Sequence, residues 1–321
     1  MPLKNYFSLQ SLKNGFTIIK GAATGFSDDR GLKFSASLAY YTIFSLAPLL
    51  MLLISLAGIF LGKEAIQGKV FSEINGLVGN SAAKQVQDMI KNLEMSGKTT
   101  MSVIIGFVTL LVGATSIFGE IQDSINIIWK VKAKPKRGWV KLLKDRLLSS
   151  SLIVTLGFLL MVSLVVNGAL LALNNRLKTF LPDVTVTFFS VLNVVISFIV
   201  ISVLFGVIFK VLPDVKIQWK QVRTGAIFTA VLFMIGRFVI GIYIEKTSSG
   251  SAYGAAGSLI VILLWIYYTA AILYFGAEFT QAYAEFNGAH IAPADYAVHV
   301  HETETEQDVD VLPPQNNVDH K

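Results

Sequence analysis

The sequence contains no cysteine, and charged residues make up only 15% of its 321 positions. Without cysteine there can be no disulfide, no thiolate nucleophile and no sulfur-ligated metal. A soluble domain has about 25% charged residues, and here charge is missing from whole blocks of the chain. Because 53% of the residues are hydrophobic, the polar surface is too small to cover a water-soluble core. The composition predicts an all-α, polytopic membrane protein.

Histidine is also scarce, and all four histidines lie in the polar C-terminal region, the first of them at His290. The sequence has no HExxH motif, no Walker-type glycine-rich loop and no GxSxG nucleophile motif. We therefore assign no catalytic residue and expect no metal and no cofactor. The sequence favours a protein that is not an enzyme.

Six blocks are long enough to span a bilayer, since a span needs about 20 mostly apolar residues. They cover 34–62, 101–119, 147–173, 185–212, 222–244 and 254–284. The prediction is thus a transmembrane domain over 34–285 with about six spans, accompanied by short amphipathic helices.

Basic residues in the connections set the expected orientation. The 130–146 connection has eight Lys and Arg against one acid, and 210–223 adds Lys210, Lys216, Lys220 and Arg223. The 245–253 connection has only Lys246. This alternation predicts that both termini are cytoplasmic. We interpret the basic loops as topology signals that contact anionic lipid headgroups, and not as a nucleic-acid surface.

Three segments lie outside the six blocks. Residues 1–33 contain an amphipathic stretch, which is either a helix at the membrane surface or a helix that caps the bundle. The 63–100 connection predicts two short amphipathic helices on the outer face. Residues 286–321 carry one Lys against seven acids, so we predict a disordered cytoplasmic tail.

Several residues inside the blocks are structural or functional candidates. Pro48 predicts a kink, which is either a packing feature or the wall of a cavity. Gly254 and Gly257 favour close helix packing. Arg237 and Glu278 are ionisable residues at membrane depth and are candidates for that reason. Their separation along the membrane normal, about 10 Å from the helical rise, argues against a direct ion pair.

A polar cavity at the cytoplasmic rim is the most specific hypothesis. The cytoplasmic halves of the first, second and sixth blocks would line it and would receive an anionic headgroup. The alternative is a set of buried hydrogen bonds that stabilise the bundle. The candidate residues are Tyr40, Tyr41, Glu120, Gln122, Asn126, Arg146 and Glu278.

Four long segments give the sequence a family resemblance. They are LAYYTIFSLAPLL at 38–50, GATSIFGEIQDSINIIW at 113–129, FKVLPDVKIQW at 209–219 and SAYGAAGSLIVILLWIYYTAAILYFGAEF at 251–279. Together they resemble the YihY/BrkB family of bacterial inner-membrane proteins, over roughly residues 15–285. The resemblance implies a six-span fold in the cytoplasmic membrane. It also marks, without assigning roles, Tyr40, Tyr41, Pro48, Glu120, Gln122, Asn126, Trp129, Arg146, Pro213, Asp214, Gly254, Gly257, Trp265, Tyr267 and Glu278.

The resemblance implies more than one function. Some family members carry a ribonuclease BN label, others a virulence label, and some are linked to transport of lipids. Hydrolysis of RNA needs a metal site or a general acid–base pair in water, and this chain has no histidine before residue 290. We therefore reject the ribonuclease label here. The sequence favours transport or flipping of a lipid or other amphiphilic envelope component. A non-transporting envelope scaffold, a membrane-bound enzyme and a homo-oligomer stay open as alternatives.

Overall fold

A computed structural model describes residues 9–61, 63–78, 83–88, 90–91, 116–134, 182–248 and 254–301. Helices account for most of these residues. They are α1 (Leu9–Asp28), α2 (Gly31–Leu61), α3 (Lys63–Val78), α4 (83–88), α5 (116–128), α6 (Pro182–Val211), α7 (Trp219–Ser248) and α8 (Gly254–Phe286). The strands among them are short: β1 (Val131–Ala133), β2 (Val215–Lys216), β3 (Ala292–Pro293) and β4 (Ala297–His299).

The predicted membrane-protein class is confirmed. Among the described residues, three helices are long and apolar enough to cross a membrane: Val191–Val211, Trp219–Ile240 and Leu259–Phe286. They correspond to the fourth, fifth and sixth predicted blocks. Helix α2 covers the first block, and α3 and α4 lie in the connection that was predicted to be helical. The 147–173 block and most of 101–119 lie outside the described residues, so the count of six spans stays a prediction.

Helix α8 is the centre of the bundle. It packs against α1, α2, α3 and α7, and α6 packs against α7. The main core lies where α8 meets α2, α5, α6 and α7. Its fully buried side chains include Ile125, Ile128, Phe209, Val222 and Tyr274. Because α8 is apolar around most of its circumference, it can contact several helices at once.

Two glycines and two threonines interlock α7 with α8. Thr280 of α8 lies against Gly225 of α7, and Thr229 of α7 lies against Gly276 of α8. Each threonine hydroxyl donates a hydrogen bond to the carbonyl oxygen four residues earlier in its own helix, at 2.7 Å. The hydroxyls are therefore satisfied inside the contact. Small residues that allow backbones to approach closely are the usual device for packing helices in a membrane.

Helix α1 packs against the bundle, and its predicted place at the membrane surface stays a prediction. Ile18 and Ala22 are buried against Phe279 of α8, so α1 does cap the bundle. Phe16 is 70% exposed and Ile19 is 43% exposed. The helix therefore packs with one face and presents apolar side chains on the other.

The segment after α8 corrects the predicted disorder. Gly288 has a left-handed φ of 67°, and the hydrogen bonds Gly288 N to Glu285 O and Ala289 N to Ala284 O form a Schellman cap. The chain then turns back, and β3 pairs with β2 while β4 pairs with β1, both antiparallel. The prediction of disorder from residue 286 onward is wrong for 287–301, because this part contains strand partners. Residues 302–321 lie outside the described residues.

Candidate functional site

A buried acid, Asp214, joins three parts of the chain. Asn126 donates Nδ2 to Asp214 Oδ2 at 2.9 Å and accepts the Asp214 backbone N–H on Oδ1 at 2.9 Å. Gln122 Nε2 and the Tyr296 hydroxyl donate to Asp214 Oδ1 at 3.2 and 2.9 Å. The Asp214 carbonyl oxygen accepts the backbone N–H of Ala294 at 2.9 Å. We call these side chains, Gln122, Asn126, Asp214 and Tyr296, the Asp214 clasp.

Local structure explains how the Asp214 clasp forms. Gln122 and Asn126 are four residues apart on α5, so both amides lie on one face. Asp214 follows Pro213 in the short turn between α6 and β2, where Val215 N bonds to Pro213 O at 2.8 Å. Asp214 is only 1% exposed. A buried acid whose oxygens accept several hydrogen bonds stabilises one arrangement of the elements around it.

Glu278 lies in a different place, between the ends of α1 and α5. Its side chain is 5% exposed and is close to Asp29, which forms an ion pair with Lys130. A methyl group at Gly25 would lie 2.5 Å from Glu278 Oε2. Within the described part of the chain, Glu278 Oε1 accepts no hydrogen bond. Among the described residues, Glu278 is thus enclosed by α1 and Lys130.

The remaining cavity candidates separate further. Glu120 is half-buried near the hydroxyl group of Tyr274. Tyr40 and Tyr41 are 60% and 39% exposed, whereas Leu38 of the same helix packs into the core. The two tyrosine rings contact each other with centroids 5.9 Å apart. The described residues therefore form separate groups and not one shared cavity.

Other sequence candidates have simple outcomes. Gly254 and Gly257 lie in the first turn of α8, and Pro48 lies within α2. Arg237 is exposed on α7, remote from the enclosed Glu278. Arg146 lies outside the described residues, so its predicted place at a cavity edge stays a prediction. Within the described ranges, no cluster of three or more His, Asp or Glu side chains could hold a metal ion.

A groove between α6 and α7 has no counterpart among the sequence candidates. It encloses about 540 Å³ and is lined mainly by apolar side chains, among them Val203 and Val207 of α6 and Ile227 of α7. The helices approach closely at Gly206, where an added Cβ would lie 3.7 Å from the Ala226 Cβ. We call it the α6/α7 groove. Because both helices are candidate spans, a groove on their outer side would open toward lipid.

One end of the α6/α7 groove is basic and aromatic. Trp219, Lys220 and Arg223 line it there, and all three side chains are exposed. The Lys210 ammonium lies 5.8 Å from the centre of the Trp219 ring and donates a hydrogen bond to the Ile217 carbonyl oxygen. This contact holds Trp219 at the mouth of the groove. An apolar groove with cations at one end can accept a molecule with an apolar tail and an anionic head.

The family model for virulence factor BrkB matches residues 22–297 of this chain. The chain belongs to the BrkB family. The match covers α2, the Asp214 clasp, α7, α8 and the pairing of β2 with β3, so it confirms the resemblance carried by the sequence motifs. No solved structure matches the chain.

Curated relatives of the BrkB chain have the description UPF0761 membrane protein. One from Vibrio vulnificus strain CMCP6 is 26% identical over 314 residues, covering 93% of this chain and 93% of its own length. One from Psychromonas ingrahamii is 27% identical over 265 residues, covering 78% of this chain and 81% of its own. A third, from Stenotrophomonas maltophilia strain R551-3, is 26% identical over 268 residues, and the match spans 59% of that longer protein. All three descriptions agree with a membrane protein and name no activity.

Proposed function

We propose that this BrkB-family protein moves a lipid or another amphiphilic envelope component across the bacterial cytoplasmic membrane. The observation that supports the proposal is the α6/α7 groove, with its apolar walls and its basic mouth at Lys220 and Arg223. An acyl chain would lie along the walls, and an anionic headgroup would lie at the cations. Contact with apolar walls contributes about 0.8 kcal/mol for each buried methylene.

The groove favours transport over the scaffold alternative. A scaffold needs surfaces that contact other proteins, and it does not need a groove that combines apolar walls with a charged end. Crossing a bilayer exposes a headgroup to hydrocarbon, which is costly for any charged group. Cations at the mouth of a groove lower that cost where the headgroup enters.

Transport is testable by blocking the groove. In vesicles containing the full-length protein, the Val203→Trp variant should move fluorescent phospholipid between leaflets at least about tenfold more slowly than wild type. The added indole would displace two or three methylenes of the acyl chain from the groove. The free energy of their contact with the walls corresponds to roughly a tenfold change in rate. Leaflet movement is measured by adding dithionite, which quenches only the fluorophores in the outer leaflet.

Val191→Trp is the matched control, because Val191 is a 58% exposed valine of the same helix that does not line the groove. It should move lipid at the wild-type rate. Equal rates in empty and protein-containing vesicles would contradict the proposal and favour the scaffold alternative.

The proposed topology, with both termini cytoplasmic, can be tested because the chain has no native cysteine. We expect Glu64→Cys in α3 to react with a membrane-impermeant maleimide in intact spheroplasts. Val298→Cys in β4 should react only after the membrane is permeabilised. Both positions are exposed, so neither is protected by packing. Labelling is measured by a gel shift with a maleimide polymer.

The wild-type chain provides the blank for this labelling, since it has no thiol. Labelling of Val298→Cys in intact spheroplasts would contradict a cytoplasmic C-terminal segment. Protection of Glu64→Cys would instead argue against an outer position for α3.

A further inference from the structure

Arg237 is an exposed cation on a surface that is otherwise apolar. It lies near the end of the candidate span Trp219–Ile240, and its neighbours Phe238 and Val239 are 72% and 57% exposed. Among the described residues, Arg237 has no ion-pair partner. A cation in this setting is costly unless its side chain reaches the interface or pairs with an anion. A lipid phosphate would satisfy both requirements.

Arg237 lies on the same side of α7 as the basic mouth of the groove. It follows Trp219 by 18 residues, which is five turns of an α-helix, so the two side chains leave the helix in the same direction. At about 1.5 Å per residue they are separated by ~27 Å along the axis. The hydrocarbon core of a bilayer is about 30 Å thick. Trp219 and Arg237 therefore lie near opposite surfaces of the membrane.

The α6/α7 groove runs most of the way between these two positions. Gly206 is level with Ala226, and the two helices are antiparallel across a short connection. Phe198, which lines the groove eight residues before Gly206, is therefore level with Met234, eight residues after Ala226. Arg237 is less than one turn beyond that level. The groove thus begins at Lys220 and Arg223 on α7, and its α6 wall reaches Phe198, less than one turn short of the level of Arg237.

We infer that the α6/α7 groove is a path for an anionic phospholipid whose phosphate binds Lys220 and Arg223 at one membrane surface and Arg237 at the other. This inference rests on the proposed transport function and adds its substrate class and a second headgroup position. Guanidinium groups bind phosphate through two parallel hydrogen bonds, which suits both arginines. Phosphatidylglycerol has a net negative charge, whereas the choline group of phosphatidylcholine would be repelled by the same cations.

The test compares fluorescent phosphatidylglycerol with fluorescent phosphatidylcholine, each as a trace lipid in phosphatidylcholine vesicles that contain the full-length protein. Wild type should move phosphatidylglycerol about tenfold faster or more, because both lipids carry the phosphate but only phosphatidylcholine also carries a choline cation, which the basic groups at the two ends would repel. Arg237→Gln should remove most of this preference. The double variant Lys220→Gln/Arg223→Gln should also remove most of the preference, because it removes the cations at the other end of the groove. Arg237→Lys should retain much of the preference.

Lys132→Gln is the charge-matched control, because Lys132 is an exposed residue of β1 outside the groove, and it should retain the preference. Thermal unfolding in detergent checks that each variant is folded. Protein-dependent movement with equal rates for the two lipids, or a preference that survives in Arg237→Gln, would overturn the inference and leave the proposed transport function standing. Absence of any protein-dependent movement would refute both.

Discussion

Alanine at Gly225 is expected to destabilise the bundle by roughly 1–3 kcal/mol, the usual cost of overpacking a tight contact. The added Cβ would lie 1.8 Å from Thr280 Oγ1 and 2.9 Å from Thr280 Cβ. Thr280 cannot simply rotate away, because its hydroxyl group bonds to the Gly276 carbonyl oxygen inside the contact. The measurement is the melting temperature in detergent, followed by size-exclusion chromatography after heating.

The reciprocal position should behave in the same way. Alanine at Gly276 would place its Cβ 2.0 Å from Thr229 Oγ1. Combining Gly225→Ala with Thr280→Ala should recover part of the lost stability, because the colliding hydroxyl and methyl groups are then absent. Such recovery would separate the clash from an effect of alanine on α7 itself.

Gly119→Ala is the matched control for these variants. Gly119 is also helical, and none of the described residues lies within 4 Å of its added Cβ. Its melting temperature should stay the same or rise, since alanine is about 1 kcal/mol better than glycine within a helix. Equal melting temperatures for Gly225→Ala and Gly119→Ala would show that α7 and α8 are further apart than a Gly225–Thr280 contact requires.

Asp214→Ala is expected to release the segment after α8 and to cost about 3 kcal/mol or more. The change leaves the amides of Gln122 and Asn126 and the hydroxyl group of Tyr296 without their acceptor. Each buried donor that loses its partner costs about 1–3 kcal/mol, less where water enters. The rate of amide hydrogen–deuterium exchange over residues 289–301 should rise roughly tenfold or more.

Asp295→Ala is the control for the Asp214 variant. Asp295 is also an acid of this region and forms an ion pair with Lys216, but its side chain is 87% exposed. Exposed pairs of this kind contribute little to stability. Unchanged exchange over 289–301 in Asp214→Ala would contradict the role of the Asp214 clasp.

The helical membrane class could be predicted from the sequence because long runs of uncharged, apolar residues are rare outside membrane spans. Packing inside those runs could not be predicted equally well. Gly225 and Thr280 are ordinary small residues in the sequence, and only their three-dimensional contact shows that they interlock. The same holds for Gly206 and Ala226, which lie where α6 approaches α7.

The candidate site could be predicted only in part. Gln122 and Asn126 were identified by their spacing on one helix face. Their acceptor, Asp214, is 88 residues from Asn126 along the chain, and the family motif marked it without a role. Tyr296 was missed because it lies in a region whose acidic composition indicates disorder. Composition averages over a segment, whereas one buried hydroxyl group and two short strand pairings are enough to order 287–301.

A count of charged residues could not locate the α6/α7 groove. Lys220 and Arg223 were counted as topology determinants, and nothing in a count of basic residues distinguishes a loop lysine from one at the mouth of a groove. Trp219 next to them was the available signal, since an interfacial aromatic beside two cations at a helix start marks a polar–apolar boundary. Glu278 was a candidate because it is an acid at membrane depth. Among the described residues its side chain is enclosed by α1 and Lys130, and the cavity itself stays a prediction.

The central position of α8 has a consequence for biosynthesis. The ribosome makes α1, α2, α3 and α7 before α8, and each of them packs against α8. These helices are therefore made before their common partner exists, and the face of each that packs against α8 stays uncovered until α8 is synthesised. Assembly of the bundle is for this reason a late event, which a nascent chain stalled before residue 254 cannot reach.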